Sequence, residues 1–217
     1  GSGPFLLTVN GGSSSLKTAL FQIADPPIPV VRCLIGRIGF QDSVMVITMS
    51  ATGRSERGTL PVPDHAAGIE LLLQWLDETV VSAHLHPVAH RIVHGGSGYS
   101  HPQHVTPDLV ADVRRISPYD PEHMPSEIFL IEAISRRYPR LPQVACFDTS
   151  FHHDLPRVAS LLPIPRRYEA QGLRRYGFHG LSCAFLMREL ARIGKPEEAN
   201  GRVVLAHLGN GASLTAV

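Results

Sequence analysis

The sequence predicts an α/β fold, and three observations predict it. Phe5-Leu6-Leu7-Thr8-Val9 and Leu16-Lys17-Thr18-Ala19-Leu20-Phe21 are short β-prone runs on either side of a Gly/Ser turn, the pattern of a hairpin. Ile69, Leu72, Leu73, Leu76 and Val80 recur at helical spacing behind Asp64. Residues 88–93 and 144–147 return to short apolar runs, one ending at Gly95-Gly96 and the other at Asp148.

The first run reads as a buried strand, and Asn10-Gly11-Gly12-Ser13-Ser14-Ser15 turns it back into the second. Glycines there let backbone N–H groups approach phosphate oxygens, with Ser14 and Lys17 adding donors and charge. An ordinary tight turn is the plain alternative, and the spacing is not that of a Walker loop. Pro26, Pro27 and Pro29 interrupt the chain before residues 30–38, which with residues 44–49 continue an antiparallel meander. Asp64 is placed to cap the helix that follows, which should pack on the sheet with Trp75 off its main stripe.

Residues 88–96 form a strand running into a glycine turn. Ligands gather at strand ends in open α/β sheets, so Arg91 and the Gly95-Gly96 backbone are candidates for an anion site; a paired arginine on a wet sheet face is the alternative. Thr106-Pro107 opens a helix by the N-cap and N1 preferences, and Pro125-Ser126 opens another that runs to about Tyr138. Residues 144–147 are a buried strand that delivers Asp148.

Arg174-Arg175-Tyr176-Gly177-Phe178-His179-Gly180 places two cations, an aromatic ring, glycines and an imidazole just before helical periodicity over residues 181–193. An oxyanion or phosphoryl group fits such a stretch; otherwise the arginines are solvated and His179 caps the helix. Asp148, His152, His153 and Asp154 can also be read as a transition-metal nest, although no helical pair fixes two ligands on one face. In the closing stretch, Gly209 falls on Gly11, Ser213 on Ser15 and Leu214 on Leu16 at one constant offset, which suggests an internal duplication of strand, glycine turn and strand. Its last strand should expose an unpaired edge and an apolar face.

The 217 residues, 43% of them hydrophobic, suit one large domain or one domain and a piece of another. A net charge of +1 argues against nucleic acid or an acidic membrane surface as the main partner. No signal-peptide pattern or bilayer-length apolar run is present, so the expected location is the cytoplasm. Cys33, Cys146 and Cys183 suggest neither a disulfide framework nor a Cys-x-x-Cys metal site. Gly1-Ser2-Gly3 (residues 1–3) reads as a tag scar.

Five stretches together resemble the acetate and propionate kinase family, within the superfamily of sugar kinases, heat-shock chaperones and actin. They are N-G-G-S-S-S-L-K from Asn10, H-R-I-V-H-G-G from His90, F-D-T-S-F-H from Phe147, R-R-Y-G-F-H-G from Arg174 and H-L-G-N-G-A-S from His207. The resemblance implies a ribonuclease-H-like (actin-like ATPase) domain with a mixed sheet and flanking helices at residues 4–200, substrate-site loops included. Residues 201–217 would then begin a second, nucleotide-binding domain, with the active site between the two. Family chains are close to twice this length, so the chain is expected to be a truncated form.

The implied activity is reversible, ATP-dependent phosphorylation of a short-chain carboxylate, acetate foremost and propionate or another acyl group as alternatives, by direct in-line transfer. ATP/ADP and Mg2+ are the implied cofactors. Carried over position by position, Asn10 lies near the phosphates and the magnesium, and Arg91 holds the carboxylate or acyl phosphate. Asp148 orients the metal shell or substrate, and His179 donates to the phosphoryl group in flight. His207 with Gly209, Asn210 and Gly211 cradles the nucleotide phosphates, and Val93 and Phe178 line the acyl pocket beside Glu122 and His123. A carboxylate substrate, with a pKa of about 4 to 5, is already ionised at neutral pH and needs no general base. Asp148 is therefore expected to act through metal or geometry. The family is a homodimer, with contacts expected largely outside this stretch.

Departures from the family pattern fall at Leu181 and Cys183, where it has Thr and His, and at Glu122, Met124 and Glu127, where it has Leu and two Asn. A carboxylate facing an acetate methyl would be costly to desolvate. Two other classes of function follow from other readings of the same residues: a non-catalytic remnant or interaction module, and a metal-dependent phosphohydrolase using Asp148, His152 and Asp154. We expect the purified 217-residue chain to form little or no ADP from ATP with acetate, propionate or butyrate. Turnover that disappears on Arg91→Ala would contradict this.

Overall fold

A computed structural model describes residues 3–79, 84–209 and 211–217. Val80 of the helical stripe and Asn210 of the second glycine turn lie outside the described residues. The chain forms two compact units, one of residues up to Ile92 with Pro102–Cys146 and the other of Val93–His101 with Phe147–Val217.

The first unit is built on the sheet. Strands β1 (Phe5–Gly11), β2 (Ser15–Gln22), β3 (Ile28–Gly36), β4 (Val44–Met49) and β5 (Ser55–Thr59) form the expected antiparallel meander. After α1 (His65–Thr79), β6 (Leu85–Ile92) returns parallel to β1. The short β7 (Gln103–His104), helices α2 (Pro107–Ile116) and α3 (Met124–Arg137) and strand β8 (Gln143–Phe147) follow. The sheet order is β5-β4-β3-β2-β1-β6-β8-β7, a mixed sheet with flanking helices of the α/β class expected.

Side-chain alternation puts Leu7 and Val9 of β1, Leu16 and Leu20 of β2, and Val31, Cys33 and Ile35 of β3 on one face. Ile69, Leu72, Leu73 and Leu76 of α1 and Leu130, Ala133 and Ile134 of α3 complete that core, with half-buried Trp75 against its margin. At the sheet edge, β5 is exposed throughout and carries Glu56 and Arg57, which discourages pairing with another chain.

Local signals placed the helix starts well. The Asp64 carboxylate accepts from the Ala67 amide at 2.8 Å, and Thr106 Oγ1 accepts from the Leu109 amide at 3.1 Å with Pro107 at N1. Helix α3 starts one residue before the expected Pro125, and β3 spans 28–36 rather than 30–38. The strand stops there because Arg37 turns to φ 59°, in the left-handed region, and its guanidinium binds the Asp42 carboxylate.

The second unit carries α4 (Arg157–Ser160), α5 (Arg167–Ala170), α6 (Gly180–Ile193), α7 (Pro196–Ala199) and a separate antiparallel ribbon of β9 (Val204–His207) and β10 (Ser213–Ala216). The ribbon has the strand, glycine turn and strand order of β1 and β2. Its pairing differs, since Gly11 faces Leu16 but His207 faces Ser213. Val204, Leu208 and Leu214 are exposed on it, the apolar display expected. Among the described residues no helix is long and apolar enough to cross a membrane, and the three cysteines are free.

A buried polar chain ties β6 to β8 and α3. The His90 ring, 2% exposed, donates from Nε2 to Gln143 Oε1 at 2.6 Å, and Gln143 Nε2 donates to Ser135 Oγ at 2.7 Å. Burial holds the His90 imidazole neutral and lowers its pKa to about 4, against the opposing pull of the Gln143 hydrogen bond. The unfolded chain takes up this proton below about pH 6.5 and the folded chain does not. Stability from this group is therefore full above about pH 6.5 and is lost as pH falls towards 4, by roughly 3 kcal/mol in all. Chemical denaturation between pH 7.5 and 4.5 should show that loss in the parent and a flatter profile in His90→Gln.

Candidate functional site

The residues singled out in the sequence fall into two local clusters, one in each unit. In the first, the parallel register of Val9 against His90 sets Asn10 abreast of Arg91. Alternation sends His90 into the core and Arg91 to the half-buried opposite face, where Arg91 Nη1 donates to Asn10 Oδ1 at 3.2 Å. The carboxylate of Glu127, from the first turn of α3, lies 4.0 Å from the same nitrogen and is 1% exposed. Lys17 pairs across the hairpin from Asn10 and is exposed. Asn10 and Lys17 share a depression of about 430 Å³ with Thr8, Arg32 and Thr48.

The first glycine turn is partly closed on itself. The Gly12 amide donates to the Ser15 carbonyl at 2.7 Å, and the Gly12 carbonyl meets His65 Nε2 at 2.8 Å. For Gly12 the ordinary tight turn is the structure found. The Ser14 carbonyl accepts from the Ile38 amide at 3.0 Å, which fixes the turn to the end of the meander. Glu122 is exposed, and the half-buried His123 bonds through Nδ1 to the Asp120 carboxylate at 3.0 Å.

The second cluster is assembled at the end of β8. Asp148 is 3% exposed, and its carbonyl accepts from the Gly180 amide at 2.8 Å, seating the start of α6 on the strand end. The adjacent Thr149 Oγ1 accepts from the Gly95 amide at 3.0 Å and fixes the glycine turn that follows buried Val93 and His94. His179 occupies the N-cap position of α6 in the left-handed conformation, φ 60°, but its ring makes no capping bond. Instead Nδ1 meets Ser213 Oγ at 2.9 Å, and the ring stacks on His207 with centroids 4.0 Å apart and planes 13° from parallel. Gly211 borders the ring: a Cβ there would lie 3.8 Å from His179 Nε2, in ordinary van der Waals contact.

Other expected members do not join this group. Arg175 is exposed, and half-buried Arg174 lies over the Tyr176 ring at 5.5 Å. His152 directs Nε2 to the Phe178 carbonyl at 3.0 Å, and among the described residues no group of three His, Cys, Asp or Glu side chains is arranged to hold a metal ion. The nest read from Asp148, His152, His153 and Asp154 is therefore not formed.

The model of the acetokinase family matches residues 5–217, all but the first few positions. The chain belongs to the acetokinase family. The acetate kinase of Rhodopseudomonas palustris is 39% identical over 98% of this chain, and that of Bacillus cytotoxicus is 37% identical over 98%. Among solved structures, a propionate kinase from Francisella tularensis superposes with a TM-score of 0.86 at 29% identity over 99% of the chain, covering 54% of its own length. The acetate kinase of Porphyromonas gingivalis gives 0.84 at 29% identity over 99%, covering 55% of its length. These likenesses place the mixed sheet in the actin-like ATPase fold. The chain spans about half the length of the curated relatives it matches, 54% of each.

Within this acetokinase chain, three contributors escaped the sequence reading. Ser213 enters the sequence analysis as a repeat position and as the last residue of H-L-G-N-G-A-S, with no role of its own, yet it fixes the His179 ring. His94 accepts from the Gly96 amide at Nδ1, 2.8 Å, and its ring packs edge-on against Tyr176 and Phe178. Glu127, noted only as a departure, faces Arg91. At Cys183 the buried thiol points to Thr215 Oγ1 at 3.9 Å, so the helix α6 departure is absorbed as packing against β10.

The seat of α6 on Asp148 yields a stability prediction. A Cβ at Gly180 would lie 2.3 Å from the Asp148 carbonyl oxygen, whereas at Gly98 it would meet nothing within 4 Å. Gly180→Ala should cost about 1 to 3 kcal/mol through overpacking. Gly98→Ala should stay within about 0.5 kcal/mol, and thermal unfolding of the two variants side by side measures the contrast.

Proposed function

We propose that the protein to which this chain belongs phosphorylates a short-chain carboxylate with ATP, acetate being the first choice of substrate and propionate the second. The observation that carries this reading is the His179 corner: an imidazole fixed by Ser213, stacked on His207 and bordered by Gly211, in a chain of the acetokinase family. A carboxylate oxygen attacks the terminal phosphorus of ATP, the bond from that phosphorus to the ADP oxygen breaks, and no proton need move, since the nucleophile is already ionised. The chain's task is then orientation and charge stabilisation.

In this reading Arg91, its fork oriented by Asn10, binds the carboxylate or acyl phosphate, and His179 donates to the equatorial oxygens as charge develops there. His207, Gly209, Asn210 and Gly211 receive nucleotide phosphates, and Ser14 of the first glycine turn and Lys17 of β2 are read as further phosphate contacts. Val93 and Phe178 contact the acyl group, with Glu122 and His123 at its border. Buried Asp148 acts by geometry, through the strand end on which α6 is seated. Residues 4–200 are read as the substrate-side domain and 201–217 as the beginning of the nucleotide-side domain.

A side-chain-free backbone beside an imidazole, as at Gly211, leaves room for phosphate oxygens. Mg2+ is usually held by one or two protein oxygens together with the nucleotide phosphates, and Asn10 Oδ1, which also accepts from Arg91, would supply one such oxygen.

In a catalytically active form containing this chain, His179→Ala should lower kcat by about 100- to 1000-fold while KM for the carboxylate changes only a few-fold, as for a contact made in the transition state. Coupled measurement of ADP formation with acetate and propionate decides this. An unchanged kcat would remove His179 from the mechanism.

A further inference from the structure

Arg91 faces a negative charge that the chain itself supplies. The Glu127 carboxylate is 1% exposed and lies 4.0 Å from Arg91 Nη1, while the arginine side chain is 25% exposed. Asn10 Oδ1 holds the same nitrogen at 3.2 Å. The guanidinium is thus oriented from two directions, by a neutral amide and by a buried charge. An ionised group removed from water is strongly disfavoured unless cations or donors face it, and Arg91 is a cation that faces Glu127.

We propose that Glu127 is an internal counter-anion that weakens the hold of Arg91 on an arriving carboxylate and so sets the affinity of the site. The inference rests on the reading of Arg91 as the carboxylate-binding residue. An incoming carboxylate must share one cation with an anion that cannot move into water, and like charges close to a common site oppose each other. Glu127 touches no substrate in this scheme. It acts through Arg91, as a positioning residue that fixes the fork and sets its residual charge. The chain gains a preorganised guanidinium and a site that releases its anion readily.

Glu127→Gln keeps the shape and removes the charge. Acetate binding to the full chain, followed by chemical-shift titration with sodium acetate against sodium chloride at constant ionic strength, should tighten about fivefold or more in this variant. Arg91→Ala should abolish binding in both backgrounds. Loss of packing alone would weaken binding, so tighter binding is not a result that a merely structural role produces.

Thermal unfolding supplies an independent readout. Arg91→Ala strips the buried carboxylate of this cation and should lower Tm by several degrees, Arg91→Lys should lower it much less, and Arg91→Ala in the Glu127→Gln background should cost little. Unchanged or weaker acetate binding in Glu127→Gln, with binding still dependent on Arg91, overturns the proposal and leaves Arg91 as the anion site. Acetate binding indifferent to Arg91→Ala, or absent from every variant, overturns both. Should Glu127→Gln fail to fold, equal Tm values for Arg91→Ala and Arg91→Lys overturn the counter-anion, and a much lower value for Arg91→Ala supports it.

Discussion

The parallel pairing of β1 with β6 is the constraint on which the first unit depends. Antiparallel strands can be joined by tight turns, but a parallel neighbour requires the chain to cross over, and here α1 makes that crossing. The register that results does two things at once. It sends His90 inward to the Gln143 and Ser135 chain, and it sets Arg91 beside Asn10 on the other face. A slip by one residue would reverse both, placing a guanidinium in the core and an imidazole outside it. The polar chain behind His90 therefore helps to specify the register that presents Arg91.

In the second unit the comparable constraint is contact between backbones. The α6 helix begins on the Asp148 carbonyl, where only glycine fits at position 180. That seat leaves His179 at the corner before the helix, in a conformation that points its ring to Ser213 and His207 rather than to its own helix amides. The histidine is thus fixed by residues distant in sequence, through one hydrogen bond and one stacked face. Preorganisation of this kind suits the proposed phosphoryl transfer, in which no proton need move.

What the sequence made legible follows the range of the interaction. Strand β4 was read to the residue, and the Asp64 and Thr106 caps were read correctly, because hydrophobic alternation and capping act over a few neighbours. The hairpins likewise announced themselves through glycine turns between β-prone runs. The ends of β3 and α3 shifted by one or two residues, as expected where a turn such as that at Arg37 competes with strand propagation. The partners of the singled-out residues were not legible. Ser213 against His179, Glu127 against Arg91 and His94 under Tyr176 are all contacts between distant segments, and no local pattern encodes them. The metal nest failed for the reverse reason: His152 and its acidic neighbours are close in sequence, but the chain turns His152 towards the Phe178 carbonyl.

The left-handed corner at position 179 also decides which substitutions can be interpreted there. Glycine and asparagine adopt φ near 60° at little cost, while alanine, deprived of the imidazole contacts, bears a backbone penalty of its own of roughly 1 kcal/mol. An alanine at that corner perturbs chemistry and chain geometry together. Asparagine separates them, since it tolerates the same turn while withdrawing the ring, and so serves as the control that distinguishes loss of the imidazole from strain in the chain.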